Sequence, residues 1–150
     1  MNKMVSMRTK SVILKVPKNK EKRMKVVVLN ESKTPDSLNK VEKRCAVTPS
    51  SAQRLIKKGA SIILEAGAGL LSGYSDKEYE GVGVAIINDV NDSISSADML
   101  VAVNKPSEAQ LALMKKGAIV VGHLDPFFQQ PLVESIADKQ LTAISVEMIP

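Results

Sequence analysis

Short apolar runs alternate with amphipathic segments from position 25 to the end of the chain. Six runs of four to six residues are rich in Val, Ile, Leu or Ala, the length and composition of strands. Between most of them, apolar residues recur at helical spacing, with capping residues before them and Gly or Lys after them. The predicted strands are residues 25–30, 61–65, 84–87, 99–103, 118–122 and 141–146, and the predicted helices are residues 49–58, 76–80, 93–97, 107–116 and 130–139.

This alternation predicts an α/β fold with a parallel, flavodoxin/Rossmann-like sheet and helices on both faces. The first strand is a β-branched apolar run, so we expect it to be buried on both faces. In such sheets ligands bind beyond the carboxyl ends of the strands. The candidate segments are therefore residues 30–44, 67–74, 104–106 and 122–128.

Positive charge is concentrated at the N-terminus. Residues 1–25 contain nine Lys or Arg and one acidic residue, whereas the other 125 residues contain 12 basic and 15 acidic side chains. This distribution, together with the scarcity of aromatic residues, argues against nucleic acid as a partner. We interpret residues 1–24 as a basic, disordered tail, or else as the result of a start site assigned upstream of a true start at Met24. No apolar run approaches the ~20 residues of a membrane helix, so we expect membrane contact only through partners.

A metal site is not expected. Cys45 and His123 are the only residues of their kinds, and no cluster of His, Cys and Asp has metal-ligand spacing. We interpret Cys45 as a small buried or half-buried thiol, because a nucleophilic cysteine needs an activating base and His123 is distant in sequence.

A glycine-rich segment follows the second predicted strand. Gly67, Gly69 and Gly73 come close to the G-x-G-x-x-G fingerprint of dinucleotide sites, but the third glycine is one position late. The next helix starts only near Asp76, so its first N–H groups would not meet a pyrophosphate held by the first two glycines. We favour a tight turn with positive φ at one or two glycines over a nucleotide site.

Several segments, in this order and spacing, resemble the N-terminal domain shared by alanine dehydrogenases and the alpha subunit of proton-translocating nicotinamide nucleotide transhydrogenases. The resemblance runs from about Met24 to Pro150. Its segments are Glu31 with Arg44-Cys45-Ala46-Val47-Thr48-Pro49, Glu65-Ala66-Gly67-Ala68-Gly69, Ser72-Gly73-Tyr74-Ser75-Asp76, Ala97-Asp98-Met99, Asn104-Lys105-Pro106, Gly122-His123-Leu124 and Val146-Glu147-Met148-Ile149-Pro150.

The resemblance also indicates a branch of the family. Alanine dehydrogenases have a keto-acid-binding lysine at the position of Asn104 and a pocket histidine at the position of Asp125. A neutral amide and an acid do not suit a 2-oxo acid, whose carbonyl and carboxylate need donors. The resemblance therefore favours the transhydrogenase branch.

Four residues are candidates for a cofactor or substrate cleft, and three of them have a structural alternative. Arg44 corresponds to the carboxylate-binding arginine of alanine dehydrogenases, or it holds the 31–43 loop through Glu31 or Glu42. Asn104 orients a nicotinamide amide or caps the turn before the proline. His123 is a hydrogen-bonded pocket residue or a direct ligand contact, and Asp125 occupies the position of the pocket histidine of alanine dehydrogenases. No catalytic residue is predicted.

For the whole protein, the resemblance implies an NAD(P) transhydrogenase that binds NAD(H) and passes hydride to NADP(H) on a partner domain. It implies a following Rossmann domain, other transhydrogenase subunits, a homodimer, and a peripheral place on the cytoplasmic side of the inner membrane through those partners. We expect this chain alone to be inert, to bind no nucleotide tightly, and to expose an apolar face. The alternatives are the N-terminal domain of an NAD-dependent alanine dehydrogenase and a non-enzymatic interaction module.

Overall fold

Parallel strands form a six-stranded sheet in this computed structural model, which describes residues 23–33 and 40–150. In chain order the strands are β1 (Met24–Val28), β2 (Ala60–Glu65), β3 (Ala85–Ile87), β4 (Met99–Val101), β5 (Ile119–Gly122) and β6 (Thr142–Ser145). Their order across the sheet is β3-β2-β1-β4-β5-β6, so β1 and β4 lie in the centre. This is the strand order of Rossmann folds.

Helices cover both faces of the sheet, as the alternating pattern predicts. The described helices are α1 (Pro49–Lys57), α2 (Asp76–Gly81), α3 (Asn91–Ser96), α4 (Glu108–Leu113) and α5 (Gln130–Asp138). Buried residues of α1 and α2 belong to one apolar cluster, and those of α3, α4 and α5 belong to the other. The α/β fold class is therefore confirmed.

The first strand is buried on both faces, as its β-branched run predicts. Val27 and Leu29 contribute to the cluster beneath α3, α4 and α5, whereas Val26 and Val28 contribute to the cluster beneath α1 and α2. Burial of each such side chain contributes ~1.5–3 kcal/mol relative to exposure. β1 is thus the central element that joins the two halves of the core.

Several boundaries differ from the sequence prediction, three of them with a structural consequence. Met24, assigned to the tail, is the first residue of β1, while residues 1–22 of that tail lie outside the described residues. The helix predicted for 107–116 ends at Leu113, because Met114 leaves helical geometry (φ −66°, ψ 140°) while its side chain is buried. β1 ends at Val28 instead of Asn30, and the side chain of Asn30 donates a hydrogen bond to the Ala66 carbonyl.

Candidate functional site

The two central strands define the point at which the chain changes direction across the sheet. After β1 the chain continues to β2 on one side, and after β4 it continues to β5 on the other. Crevices beyond the carboxyl ends of the strands at such a point are the usual ligand sites of open α/β sheets. The residues that follow β1 and β4 are therefore the first to inspect.

Glu31, which begins a 3-10 turn after β1, connects the ends of the central strands. Its carboxylate accepts hydrogen bonds from the backbone N–H groups of Val103 (2.6 Å) and Asn104 (2.8 Å). Burial raises the pKa of Glu31, although these hydrogen bonds act in the opposite direction. Glu31 thus holds the turn after β4 against the end of β1.

Glu42 accepts hydrogen bonds from Arg44 and Asn104 at the same edge of the sheet. Its carboxylate accepts two hydrogen bonds from the Arg44 guanidinium, from Nε and Nη2, both at 2.8 Å. It also accepts the Arg44 backbone N–H (2.9 Å) and Nδ2 of Asn104 (2.9 Å). The Arg44 hydrogen bonds lower the pKa of Glu42 to about 2. The carboxylate is therefore ionised at neutral pH and saturated with donors.

The segment that carries Glu42 and Arg44 is anchored by the glycine-rich loop. Ser72 Oγ donates to the Lys43 carbonyl (2.8 Å) and accepts the Cys45 backbone N–H (2.9 Å). The segment then enters α1 through Thr48, whose hydroxyl accepts the Ser51 N–H at the helix start. One function of the glycine-rich loop is therefore to position Arg44 at the sheet edge.

The glycine-rich loop itself does not have the form of a phosphate site. Gly67 and Gly73 have positive φ (78° and 84°), and a Cβ on Gly69 would lie 2.6 Å from the Tyr79 ring. The Gly67 N–H donates to the carboxylate of Asp76, the first residue of α2. A phosphate there would meet a carboxylate instead of free N–H groups, so these glycines serve turn geometry and packing.

His123 and Asp125 belong to a second group at the same edge, after β5. His123 Nδ1 lies 3.6 Å from Oε2 of Glu147, and the Asp125 backbone N–H donates to Oε1 of Glu147 (2.5 Å). Asp125 has φ 47°, a left-handed conformation that Asp tolerates better than most residues. Glu147 thus connects the 3-10 turn Val146–Met148 to the turn after β5.

The structure therefore places the four predicted residues in two groups. Arg44 and Asn104 meet at Glu42, while His123 and Asp125 meet at Glu147. The backbone joins the groups, because the His123 N–H donates to the Val103 carbonyl (2.9 Å).

Each candidate has a partner in the chain. Arg44 pairs with Glu42, one of the two partners considered from sequence. The Asn104 side chain reaches across to Glu42 and also interacts with Glu31. Sequence reasoning missed the Glu147 contact to His123, although Glu147 belongs to a segment that carries the family resemblance.

Gly122 is required where the two groups come together. A Cβ at this position would lie 2.8 Å from the Asn104 carbonyl oxygen and 3.2 Å from that of Ala102. A real side chain carbon does not approach a backbone oxygen so closely. Gly122 thus allows the turn after β4 to pack against the end of β5.

The buried side-chain amide of Asn30 lies at the same edge, between the ends of β1 and β2. Asn30 is only 8% exposed, and its Nδ2 donates to the Ala66 carbonyl (2.8 Å). The Asn30 backbone N–H donates to Glu65, whose other oxygen accepts Lys33 Nζ (2.8 Å). These contacts join the ends of β1 and β2 as Glu31 joins those of β1 and β4.

Large apolar side chains are exposed near the second group. Phe127 and Phe128, in the turn after β5, are 74% and 82% exposed, and Met148 and Ile149 are also exposed. Among residues 23–33 and 40–150, no helix is long and apolar enough to cross a membrane. In the same ranges, no group of three His, Cys, Asp or Glu side chains is arranged to hold a metal ion.

Residues 27–150 match the family described as Alanine dehydrogenase/PNT, N-terminal domain. An NAD(P) transhydrogenase subunit alpha chain of Rickettsia prowazekii is 37% identical over 131 residues, which cover 85% of this chain and 33% of that protein. The alanine dehydrogenase of Bacillus subtilis is 31% identical over 115 residues, which cover 77% of this chain and 30% of that enzyme.

Solved structures show the same two relationships. The transhydrogenase from Sinorhizobium meliloti superposes with a TM-score of 0.74 at 29% identity, covering 84% of this chain and 36% of that one. An L-alanine dehydrogenase superposes with a TM-score of 0.70 at 29% identity, covering 81% and 32%. The chain thus spans about a third of the length of these relatives, all of which are oxidoreductases by name.

Proposed function

Because this chain belongs to the alanine dehydrogenase/PNT N-terminal domain family, we propose that it is the N-terminal part of the NAD(H)-binding alpha subunit of a proton-translocating NAD(P) transhydrogenase. The observation that carries this choice is the environment of Asn104. Its neutral amide stands where the family resemblance implies the keto-acid lysine of alanine dehydrogenases, and it donates to Glu42. A 2-oxo acid would find no second cation at this position.

In this proposal the chain forms the outer wall of a nucleotide cleft and takes no part in hydride chemistry, which NAD(H) supplies when bound. Glu31, Glu42 and Glu147 shape the wall through hydrogen bonds to the turns after β4 and β5. Fixed groups of this kind hold a cleft in one geometry before its ligand arrives. The pyrophosphate would be held by another domain, because Asp76 occupies the Gly67 N–H in this one.

The proposed partners follow from the same assignment. A Rossmann domain would close the cleft, a partner domain would hold NADP(H), and a second copy would complete a homodimer. Exposed Phe127 and Phe128 beside the cleft suit contact with such a domain, since large apolar surfaces favour association. Membrane contact, on the cytoplasmic side of the inner membrane, would come through other subunits.

A chimera tests the proposal. Residues 24–150 would replace the corresponding third of the Rickettsia prowazekii alpha subunit, and hydride transfer from NADH to an NADP analogue would be measured with the remaining subunits. We expect transfer to be retained, with no pyruvate-dependent oxidation of NADH. A folded chimera that lacks transfer, or one that oxidises NADH with pyruvate, would contradict the proposal.

A titration tests the inertness of the isolated chain. NADH fluorescence would be followed as the 150-residue chain is added, with the parent Rickettsia subunit as the positive control. We expect no saturable binding in the micromolar range, because the wall alone buries little of the nucleotide. A micromolar dissociation constant would overturn the expectation that the isolated chain is inert.

Alanine dehydrogenase activity is the second candidate, favoured by the Arg44 guanidinium at the carboxyl edge and by the similarity to that enzyme class. If the transhydrogenase assignment is right, both Asn104→Lys and Asp125→His should be needed before the chimera gains any pyruvate-dependent oxidation. Activity without these changes would favour the dehydrogenase.

A further inference from the structure

We propose that Glu42 is a specificity-determining residue, because its carboxylate fills, within the chain, a carboxylate-binding position formed by Arg44 and Asn104. In this role it keeps small free carboxylates, such as 2-oxo acids, out of the edge. The inference rests on the proposed function in one respect, since it assigns ligand selection to the same edge of the sheet.

The donors around Glu42 form a complete receptor for one carboxylate. Oε1 accepts from Nε and from the backbone N–H of Arg44, and Oε2 accepts from Nη2 of Arg44 and Nδ2 of Asn104, all at 2.8–2.9 Å. The guanidinium presents two parallel N–H bonds to two oxygens, the arrangement by which arginine recognises carboxylates. The same four donors suit a free carboxylate as well as one that belongs to the chain.

The accessibility of the two partners supports exclusion by Glu42. The Arg44 side chain is 66% exposed, so a dissolved anion reaches it, whereas the Glu42 side chain is 16% exposed and lies on the inner side. The Nε and Nη2 edge of Arg44 is turned towards Glu42. A free anion is left with the Nη1 side of the guanidinium, without the Arg44 backbone N–H and the Asn104 Nδ2 that Glu42 occupies.

The Glu42 carboxylate has an advantage over a free carboxylate because it belongs to the same chain as the donors. A group held two residues away acts at an effective concentration in the millimolar range or above. A free monocarboxylate at lower concentration does not displace it, and both Glu42 and the neighbouring Glu31 repel the incoming charge. Once Glu42 is removed, the donors remain while the repulsion from its own carboxylate is lost.

Acetate and pyruvate are the probes for a test on the full 150-residue chain. Their binding would be followed through the Arg44 Nε–H resonance and by calorimetry, in the wild type and in Glu42→Ala. We expect no saturable shift in the wild type and millimolar binding in Glu42→Ala. Addition of the anion should also raise the melting temperature of Glu42→Ala. The double variants Glu42→Ala/Arg44→Gln and Glu42→Ala/Asn104→Ala should lose or weaken that binding.

Glu147→Ala is the matched control, because it removes a carboxylate from the same edge without touching Arg44, and it should not gain binding. If Glu42→Ala does not fold, Glu42→Ser also vacates the carboxylate position and should gain binding of the same anions. A folded Glu42 variant that binds neither anion, with Arg44 turned to Glu31 instead, overturns the inference, as does equal binding by wild type and variant.

These assays contain no nucleotide and no other subunit, so their result is separate from that of the chimera. Failure of anion binding with a working chimera would reject the role of Glu42 alone. A gain of anion binding with a chimera that lacks hydride transfer would reject the transhydrogenase assignment alone.

Discussion

The carboxylate of Glu31 accepts a 2.8 Å hydrogen bond from the backbone nitrogen of Asn104, 73 positions further along the chain. Together with the bond from Val103, this contact joins the ends of the two central strands. The shape of the edge therefore depends on one acidic side chain that follows the first strand.

Glu31→Gln should destabilise the fold. A carboxamide has one acceptor oxygen, so one of the two backbone N–H groups would face an NH₂ group and lose its partner. An unsatisfied, partly buried donor costs ~1–3 kcal/mol. Urea unfolding would measure this loss. Glu134→Gln, an exposed position on α5, should change the free energy of unfolding by less than ~0.5 kcal/mol, and equal effects of the two variants would contradict our account of Glu31.

Gly122→Ala should distort the same edge from the β5 side. The new Cβ would lie 2.8 Å from the Asn104 carbonyl oxygen, and relief of such a clash through backbone shifts costs ~1–3 kcal/mol. Gly81→Ala is the control, because nothing lies within 4 Å of its Cβ position at the end of α2. That variant should be neutral or slightly stabilising, and thermal unfolding of both would decide whether crowding is the cause.

Glu42 should make stability depend on pH in a defined window. Its pKa is about 2 in the folded chain against 4.5 ordinarily. As the pH falls from about 4.5 to about 2, the unfolded chain takes up a proton that the folded chain rejects, so the contribution of Glu42 to stability is lost.

The difference in unfolding free energy between wild type and Glu42→Gln should therefore shrink across this window and be constant above it. It should also decrease with salt, because Arg44 is largely exposed. Urea unfolding at several pH values measures it. A difference that grows as the pH falls would show that the sign is wrong.

Tyr79→Phe should cost ~0.5–1.5 kcal/mol, the net value of a typical hydrogen bond. The Tyr79 side chain is fully buried, and its hydroxyl donates to the Val47 carbonyl (2.8 Å). In Tyr79→Phe the Val47 carbonyl would keep the hydrogen bond from the Cys45 thiol, which is a weak donor at 3.3 Å. Tyr74→Phe keeps the edge-to-face ring contact with Tyr79 and should have the smaller effect in chemical denaturation. The reverse order would contradict this role of the hydroxyl.

Local features of the sequence predicted much of the fold. The β-branched run of β1 indicated burial on both faces, and Thr48 with Pro49 indicated the start of α1. Met114 shows the limit of such reasoning. Helical spacing carried the prediction through this residue, but packing of its side chain in the core ends α4 one residue earlier.

The candidate site was less predictable, because its contacts are distant in sequence. Pairing of Arg44 with Glu42 is local and was one of the alternatives considered from sequence. The reach of Asn104 to Glu42 spans 62 positions and depends on the order of strands across the sheet, which no local pattern encodes. The roles proposed for Arg44, Asn104, His123 and Asp125 stay predictions.

The central place of the first strand has a consequence for the chain as it leaves the ribosome. One edge of β1 pairs with β2 soon after synthesis, but the other edge pairs with Met99–Val101, which emerge much later. At ~5–20 residues per second, the N–H and C=O groups along that second edge stay without their strand partner for on the order of seconds. During this interval the open edge of β1 is a template for pairing with another chain.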